Sequence, residues 1–409
     1  MNGAVAITGL GLVSPHGDEP EAVLAALLRG DSAVHEVFAG RLPRPAAAAT
    51  AAFDESRWFT KLQLAGVDRV SQLAVAAADL ALADAGRPAE GLAAERIGVY
   101  VGCGMGGGGA LEAAYLSGTA GGRVPPLTIP AFMPNAPAAH VAIRQRAQGP
   151  VLTYSVACAS SAVAIGEAKR AVQRGDVDLA IAGGSEALIV PGVVAAWQAM
   201  QTLAPFEAGD AEGAARACRP FAADRAGFVL GEGAAFFVLE SEARARARGA
   251  RLRGRLLGFG LGSDATHLTK PDAAGQARAL RAALADAGLA PADVGYCNAH
   301  GTATRIGDRV EAEALAAVWG AALPGLRVSA TKALHGHLLG AAGALEAAIT
   351  VLALQQRQLP PNVTGGPADA DLPLALVAPG DSAAPALDAA LSSSFAFGGT
   401  NAVLVFGRA

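Results

Sequence analysis

Short runs of β-branched and other apolar residues alternate along the chain with longer stretches rich in alanine and leucine. Glycines bound the short runs, and the longer stretches have the length and composition of helices. This alternation predicts an α/β fold in which the strands are buried. The six clearest strand runs are at residues 5–8, 97–101, 179–182, 236–239, 294–297 and 403–406.

One six-residue sequence, Ala-Leu-Ala-Asp-Ala-Gly, occurs twice, at 81–86 and again at 283–288. Each copy ends a predicted amphipathic helix with a glycine and precedes a strand run. Chance identity is an alternative in an alanine-rich chain, but the shared helix, glycine and strand favour a duplication. We therefore expect two similar α/β halves, at 1–250 and 251–409.

The length, composition and net charge of the chain limit the classes of function that it can have. The chain has 409 residues, more than the ~250–300 at which a single core usually stops growing. Its 32 basic and 36 acidic residues give a net charge of −4, which offers no general attraction to nucleic acid or to an anionic membrane. We expect no nucleic-acid partner and no membrane association.

No basic segment of the secretory type is visible at the N-terminus, and the longest uncharged apolar stretch, 187–206, is interrupted by Pro191 and two glutamines. We interpret that stretch as core and loop rather than a membrane span. The four cysteines are too widely spaced for a zinc motif or a redox pair. We therefore predict a cytoplasmic protein whose cysteines are reduced.

A glycine-rich loop at 102–107 matches GxGxxG and follows a predicted strand, as in dinucleotide-binding sites. Such a site needs an acidic ribose-binding residue about 20 residues further on. Residues 113–166 contain no Asp or Glu. We therefore interpret these glycines as allowing a loop to pack close to a catalytic centre.

Reactive side chains stand at the ends of predicted elements in three glycine-bounded segments. Cys158 precedes a predicted helix, whose N-terminus would stabilise a thiolate and favour a nucleophile. His300 follows a buried strand, and Lys332 precedes His337 in a Gly/Ala-rich segment. Each residue alone would more often be structural, and zinc is a competing explanation, but the scattered ligand candidates do not have a standard zinc spacing.

These segments resemble the β-ketoacyl-[acyl-carrier-protein] synthases, in particular the elongating type II (KAS II-like) condensing enzymes of the thiolase superfamily. The resemblance covers essentially the whole chain. It implies a thiolase-like α/β fold, in which two similar halves form five layers, α-β-α-β-α. The matching motifs stand at 5–15, 154–168, 219–221, 227–234, 298–311, 329–343 and 394–402.

The resemblance implies a role for each matching position. Cys158 would attack the acyl thioester, and His300 and His337 would stabilise the enolate formed when malonyl-carrier protein loses carbon dioxide. Lys332 and Glu311 would form a charged pair that orders the site. The remaining implied groups are Asp308 as a structural residue, the backbone N–H groups of Cys158 and Phe397 as the oxyanion hole, Thr302 and Thr304 as contacts of the pantetheine arm, Phe228, Phe395 and Phe397 as gating aromatics, and Met105 as the floor of the acyl pocket.

The resemblance implies that no cofactor or metal is required, because acyl carrier protein brings its own phosphopantetheine. The partners would be acyl-carrier and malonyl-carrier protein, docked on basic residues for which Arg57, Lys61 and Arg69 are the candidates. A homodimer, or a heterodimer with a paralogue, is expected. A non-catalytic chain-length subunit is the alternative function, although such subunits typically lack the cysteine.

Four positions depart from the family pattern: Ser161, Arg305, His335 and Ala396. The family usually has glycine, proline, threonine and glycine there. None of these changes removes a catalytic group. We interpret them as favouring a specialised pathway, such as polyketide or aryl polyene synthesis, over housekeeping fatty acid synthesis.

Overall fold

A computed structural model describes residues 5–86, 88–89 and 91–409. Five of the six predicted strand runs lie within longer strands, and the run at 294–297 is shifted to Tyr296–Asn298. In those ranges the strands are β1 (Val5–Val13), β2 (His35–Val37), β3 (Ala46–Ala49), β4 (Ile97–Gly102), β5 (Val151–Tyr154), β6 (Leu179–Glu186), β7 (Leu230–Gly231), β8 (Gly233–Ser241), β9 (Gly254–Ser263), β10 (Tyr296–Asn298), β11 (Arg327–Ser329), β12 (Ala375–Leu376), β13 (Ala389–Phe395) and β14 (Thr400–Gly407).

The helices lie mainly between the strands, as the alternating pattern predicts. The α-helices are α1 (Pro20–Arg29), α2 (Arg69–Asp84), α3 (Gly108–Thr119), α4 (Thr128–Phe132), α5 (Ala136–Gln145), α6 (Ser160–Arg174), α7 (Pro191–Ala199), α8 (Ala211–Ala215), α9 (Glu242–Ala247), α10 (Ala273–Ala287), α11 (Arg305–Trp319), α12 (Lys332–His335) and α13 (Ala342–Gln356). Short 3-10 helices are at Glu55–Arg57, Ala94–Arg96, Pro291–Asp293, Gly320–Gly325 and Leu339–Ala341.

Eleven strands are hydrogen-bonded in the order β12-β11-β10-β13-β14-β9-β1-β8-β6-β4-β5. β1 and β9 pair with each other in the middle of this sheet. Counting outwards from them, the next two pairings on each side are antiparallel, and the remaining pairings are parallel. The strands of the N-terminal part therefore repeat the order and direction of those in the C-terminal part. A separate small sheet contains β2, β3 and β7.

The repeated hexapeptide has the same structural place in both parts. A Cβ atom on Gly9 of β1 would stand 2.1 Å from the carbonyl oxygen of Ala81 in α2, and one on Gly258 of β9 would stand 2.2 Å from that of Ala283 in α10. Glycine in the strand lets the helix pack directly on the sheet backbone. This shared close contact supports the duplication inferred from the sequence.

The aspartates of the two copies also have equivalent partners. Asp84 accepts a hydrogen bond from the backbone N–H of Leu10 (2.9 Å), and Asp286 accepts one from that of Phe259 (2.8 Å). Each carboxylate thus ties the end of its helix to the strand beneath it.

Three apolar clusters define the layers. One joins α2 and α5 to the N-terminal strands, and another joins α10 and α11 to the C-terminal strands. Between them, α6 and α13 pack against strands of both parts. The result is the five-layer α-β-α-β-α arrangement that the resemblance implies.

Helix α13 lies in the central layer, and its buried residues other than Glu346 and Thr350 are apolar or glycine. Within the described ranges, the stretch Leu339–Gln356 is long and apolar enough to cross a membrane by length and composition, but 89% of it is buried inside the protein. The stretch at 187–206 contains α7 and loops. Leu339–Gln356 is therefore a core helix. Most residues of 187–206 are partly or fully exposed, so the expectation that this stretch is core holds for only a few of its residues.

Candidate active site

Cys158 lies in a tight turn between β5 and α6. The preceding residue, Ala157, has φ of +49°, a conformation that costs energy for a residue with a Cβ atom. The hydroxyl of Ser160 accepts the backbone N–H of Val156 (2.9 Å) and donates to the carbonyl oxygen of Ala157 (2.6 Å). These two bonds hold the strained turn that presents the thiol.

The structure brings Cys158, His300 and His337 together. The Nε2 atom of His337 is 3.0 Å from the Sγ atom of Cys158. The two imidazole rings are nearly perpendicular, with centroids 5.4 Å apart, and one side-chain donor atom from each of the three residues lies within 4.8 Å of the others. Cys158 follows a strand of the N-terminal part, whereas both histidines belong to the C-terminal part.

The backbone fixes the orientation of His337. Its Nδ1 atom accepts the backbone N–H of Leu339 (3.2 Å), so the proton of the neutral ring must be on Nε2. Gly336, at φ of +70°, allows the turn that places this histidine, because a Cβ atom there would stand 2.5 Å from the carbonyl oxygen of Leu230. His337 therefore directs an N–H donor at the sulfur.

His300 is held from behind by Glu311. One oxygen of this carboxylate accepts the backbone N–H of His300 and the other accepts that of Gly301, both at 2.8 Å. The hydroxyl of Ser393 also donates to Glu311 (2.7 Å). The carboxylate thus fixes the backbone just after β10.

Lys332 also contacts His300. Its Nζ atom donates to the carbonyl oxygen of His300 (2.5 Å) and lies 3.4 Å from the ring Nδ1 atom. An ammonium group beside Nδ1 favours the tautomer with its proton on Nε2. Both histidines can therefore offer an Nε2–H donor to one ligand.

The predicted pairing of Lys332 with Glu311 is wrong. The ammonium of Lys332 forms its ion pair with Glu346 of α13, and both side chains are fully buried. Glu311 is already occupied by two backbone N–H groups and a hydroxyl. Burial raises the pKa of Glu346 to about 7, while the charge of Lys332 opposes that shift.

Burial keeps the reacting groups neutral. It lowers the pKa of His300 and of His337 well below the ordinary value, and the nearby charge of Lys332 lowers both further. Burial raises the pKa of the Cys158 thiol to about 12, against the opposing effects of Lys332 and of the backbone N–H groups of Phe397 and Cys158. Burial thus outweighs the expected stabilisation of a thiolate at the start of α6.

A cavity of about 550 Å³ opens onto this centre. Aromatic rings surround the reactive groups: Phe228 and Phe395 lie 5.3 Å from the His337 ring and 6.2 Å from the His300 ring, respectively. Trp197, which the sequence reasoning misses, packs edge-on against Phe228 at 5.4 Å. The lining residues assigned from the resemblance are Cys158, Phe228, His300, Thr302, Thr304, Glu311, His337, Phe395 and Phe397.

Three assigned residues, Lys332, Met105 and Asp308, do not line the cavity. Met105 is 54% exposed and is not part of the cavity wall, in contrast to its expected place at the pocket floor. Asp308 is buried behind the site, where it accepts the backbone N–H of Phe221 (2.8 Å) and faces Arg225 at 3.6 Å. Burial raises the pKa of Asp308 to about 7.

Glu186, at the end of β6, explains the glycine-rich loop and was missed by the sequence reasoning. Its carboxylate accepts the backbone N–H groups of Gly104 (2.8 Å) and Gly340 (3.0 Å). A Cβ atom on either glycine would stand 2.5 Å from this carboxylate. The glycines therefore close the loop onto a buried acid near the His337 segment, and the interpretation against a dinucleotide loop fits this contact.

Two of the four departures have partners that the structure identifies. The Ser161 hydroxyl accepts the backbone N–H of Ala344 (2.9 Å) and so links α6 to α13. Both ring nitrogens of His335 are bonded, to the Thr331 hydroxyl (2.9 Å) and the Gly336 carbonyl (2.8 Å). The side chains of Ser161 and His335 are thus part of the core behind the site.

The loop after β13 contains another of the departures. Ala396 stands where the family usually has glycine, but the left-handed positions of this loop are taken by Gly398 (φ 86°) and Gly399 (φ 74°). The Cβ atom of Ala396 therefore introduces no strain of that kind.

Cys158, His300 and His337 are also the described residues whose donor atoms are grouped closely enough to hold a metal ion. A metal would need the lone pair of the His337 Nε2 atom. That nitrogen carries the ring proton, because Nδ1 accepts the N–H of Leu339. The arrangement suits hydrogen-bond donation better than metal binding.

Comparison with known proteins gives matches over nearly the whole chain. Residues 2–245 match the family described as Beta-ketoacyl synthase, N-terminal domain, and residues 253–365 match Beta-ketoacyl synthase, C-terminal domain. The chain is 37% identical over 421 residues to 3-oxoacyl-[acyl-carrier-protein] synthase 2 of Staphylococcus aureus (strain N315), covering 99% of this chain and 98% of that protein. It is 38% identical over 410 residues to Nodulation protein E of Rhizobium sp. (strain N33), covering 99% of each.

Solved structures show the same architecture. A beta-ketoacyl synthase from Burkholderia phymatum STM815 has a TM-score of 0.91 at 34% identity, and the ishigamide ketosynthase/chain length factor has 0.92 at 31%, with 100% of each chain covered. A type II PKS ketosynthase, bound to the hexaketide and in complex with its acyl-carrier protein, has 0.88 at 26% with the same coverage. This chain belongs to the beta-ketoacyl synthase family of acyltransferases, whose members form carbon–carbon bonds, and it has their thiolase-like fold.

Proposed function

We propose that this protein is a β-ketoacyl-[acyl-carrier-protein] synthase that condenses a Cys158-bound acyl group with malonyl-carrier protein. The observation that carries the proposal is the 3.0 Å contact between the His337 Nε2 atom and the Cys158 sulfur, with His300 beside it. Nucleophile and donors thus converge on one point of a cavity that admits a substrate.

In the first half-reaction the Cys158 sulfur attacks the carbonyl carbon of an acyl thioester. The bond from that carbon to the carrier's sulfur breaks, and the proton of the cysteine thiol ends on the released pantetheine thiol. The backbone N–H groups of Cys158 and Phe397, which face the sulfur, would stabilise the tetrahedral oxyanion. The product is an acyl-enzyme.

In the second half-reaction malonyl-carrier protein loses carbon dioxide, and the electron pair of the broken bond forms an enolate. The Nε2–H groups of His300 and His337 would donate to its oxygen, which requires neutral rings with their protons on Nε2. The enolate carbon then attacks the acyl carbonyl, and the Cys158 sulfur leaves as a thiolate, which takes a proton from water to restore the thiol. The new carbon–carbon bond gives a β-ketoacyl thioester on the carrier.

The carrier's pantetheine arm would occupy the cavity. Thr302 and Thr304 line it with hydroxyl groups that can bond the amides of the arm, and Phe228, Phe395 and Phe397 would gate access to the thiol. The substrates bring this arm with them, so the proposed reaction uses no further cofactor and no metal. We place the enzyme in the cytoplasm, with carrier proteins as its partners.

We further propose a dimer, formed with a second copy or with a paralogue. Strand β5 is an edge strand whose Val151 and Leu152 are exposed, and an open apolar edge favours pairing with another chain. Met105, also exposed, would border the acyl pocket once a partner covers it. Exposed apolar residues cluster in the same part of the sequence, at Tyr115, Leu116, Val124, Leu127, Ile129 and Ile143.

A specialised pathway is the role we favour. Its support is Arg305 at the cavity wall in place of the family's usual proline, together with the similarity to a ketosynthase/chain length factor structure. A competition assay tests this choice by offering saturated acyl-carrier proteins together with polyunsaturated or polyketide-type ones. Clear preference for the saturated chains would assign the enzyme to fatty acid synthesis instead.

The reaction itself is tested by intact-protein mass spectrometry. Wild type and Cys158→Ala are exposed to a panel of acyl-carrier proteins and then to malonyl-carrier protein. We expect acylation of wild type alone, followed by discharge to a β-ketoacyl product. Absence of acylation with every substrate and candidate partner subunit would indicate a non-catalytic chain-length subunit.

A further inference from the structure

The basic residues predicted to dock a carrier protein are largely engaged within the chain. Arg57 pairs with Asp18 (2.5 Å), and Arg69 pairs with Glu232 (2.7 Å), a nearly buried carboxylate. Neither arginine lines the cavity that leads to Cys158. The groups that meet an incoming carrier arm must therefore be sought at the cavity itself.

Two other cations line that cavity. Lys270 belongs to the loop between β9 and α10, and Arg305 is the first residue of α11, directly after Thr304. Both are exposed, and neither forms a side-chain ion pair with another residue in the described ranges. Their charges are therefore available to a ligand.

The charge of the cavity wall is asymmetric. Among the described lining residues, Lys270, Arg305 and Glu311 are the Lys, Arg, Asp or Glu side chains. Glu311 is buried, with its oxygens engaged by backbone N–H groups and a hydroxyl behind the catalytic centre. The exposed part of the wall thus carries two positive charges and no exposed carboxylate.

We propose that Lys270 and Arg305 form a clamp for the phosphodiester that joins the pantetheine arm to its carrier protein. This inference rests on the proposed function. With the thioester at Cys158, the arm would run through the cavity that Thr302 and Thr304 line, and its other end is a phosphodiester monoanion. Arginine offers two parallel N–H donors to phosphate oxygens, and lysine adds a mobile positive charge.

The clamp depends on Arg305, a residue that the family usually does not have at this position. The resemblance places a proline at this position in the family, and proline has neither a charge nor a side-chain donor. The enzyme would therefore bind the phosphodiester together with the pantetheine arm, whatever residues the carrier protein presents on its surface.

The test compares two small substrates on the complete enzyme. One is an acyl-pantetheine, and the other is the same thioester with a 4′-methyl phosphate, which carries the same monoanionic diester as a carrier. We expect wild type to be acylated at Cys158 with about tenfold higher kcat/KM by the phosphodiester, as one or two exposed charge-assisted contacts would provide. The ratio should shrink as salt is added.

The double variant Lys270→Ala/Arg305→Ala should lower this ratio to about one while leaving the rate with acyl-pantetheine within about twofold, since the dephosphorylated substrate makes no clamp contact. Arg309→Ala is the matched control. Arg309 lies four residues along the same helix, is exposed and faces Glu313 at 3.8 Å, but it does not line this cavity. Its variant should keep the wild-type ratio.

A wild-type ratio of one, or a ratio that survives in the double variant, would overturn the clamp. So would a double variant slowed only with intact acyl-carrier protein, because the two cations would then be binding the carrier's acidic surface. Acylation of wild type by acyl-pantetheine supports the proposed function independently of the clamp. Failure of all substrates to acylate Cys158 would remove the proposed function and the clamp together.

Discussion

Lys332 is joined to Glu346 by an ion pair in which both side chains are fully buried, directly behind the ring of His300. The same ammonium donates to the His300 carbonyl oxygen. One buried cation therefore connects α13, in the central layer, to the backbone and the ring of a reactive histidine. The central layer thus orients the site as well as filling the core.

Replacing Lys332 by methionine should destabilise the protein by roughly 3–5 kcal/mol at pH 8, because it leaves the Glu346 carboxylate buried without its counter-charge. The loss should be smaller at pH 6, where Glu346 can take up a proton. Guanidinium unfolding at both pH values measures it. Lys61→Met, at an exposed position, should change the free energy of unfolding by less than ~0.5 kcal/mol. A Lys332 variant as stable as that control would contradict the importance of the pair.

Alkylation of Cys158 by iodoacetamide should accelerate steadily from pH 7 to pH 10. The thiol pKa of about 12 means that each added pH unit in this range raises the thiolate fraction about tenfold. His337→Ala should be slower at each pH, since it removes the N–H donor facing the sulfur. The control is Cys158→Ala, whose remaining cysteines are buried and do not line the cavity, so they should stay unlabelled. A rate that levels off between pH 9 and pH 10 would show that the thiol pKa is not raised above its ordinary value of 9.

Glu186→Gln should make the free energy of unfolding less dependent on pH. Burial raises the pKa of Glu186 to about 7 from an ordinary 4.5, so the native state holds a proton that the unfolded state has released between these values. The Glu186 contribution is thus fully present below pH 4.5 and is lost as the pH rises through 7. Urea unfolding from pH 5 to 8 measures this dependence. The free energy of unfolding should change with pH less steeply in the variant than in wild type, by up to ~1.4 kcal/mol per pH unit. Exposed Glu95→Gln should retain the wild-type slope.

Gly340→Ala should abolish acylation of Cys158 or prevent folding. Its Cβ atom would stand 2.3 Å from the backbone nitrogen of Gly104 and 2.5 Å from the Glu186 carboxylate, so the glycine-rich loop could no longer close. Gly366→Ala is the control, because a Cβ atom there meets nothing within 4 Å. Thermal unfolding and acylation should separate the two variants. Equal behaviour would mean that the loop tolerates displacement from Glu186.

Leu152→Lys should shift the proposed dimer toward monomer, because it places a charge on the exposed edge strand β5. Sedimentation velocity at micromolar protein measures the change. Leu261→Lys is the control on β9, where the leucine is 40% exposed and lies outside the apolar cluster of the N-terminal part. If both variants sediment like wild type, β5 is not the dimer contact.

The apolar pattern located the strands but not the residues at which they end. The run at 179–182 continues to Glu186 as β6, because Gly183 and Gly184 lie against β8 and the start of α6, where larger side chains would collide. Small residues look like a turn in the sequence, whereas here they are required by close packing between layers. Sequence reasoning therefore ended this strand before Glu186, the acid that holds the glycine-rich loop.

The three reactive residues were predictable because each stands at the end of an element in a distinctive glycine-bounded motif. The partner of Lys332 was not, because Glu346 lies in a helix whose composition gives no sign that this carboxylate is turned inward. The acidity of Cys158 was also misjudged. The helix start was visible in the sequence, but the burial that dominates the thiol pKa depends on the whole fold.

The two copies of the repeated hexapeptide have one more property in common. Asp84 forms an ion pair with Arg253 beyond the predicted boundary near residue 250, and Asp286 forms one with Lys169 on the other side of it. Lys169 is 1% exposed, so without Asp286 its ammonium would be buried with no counter-charge. Separated at residue 250, the halves would each lose the neutralising charge that the other supplies. The duplicated units are therefore obligate to each other, and neither is expected to survive as an autonomous protein.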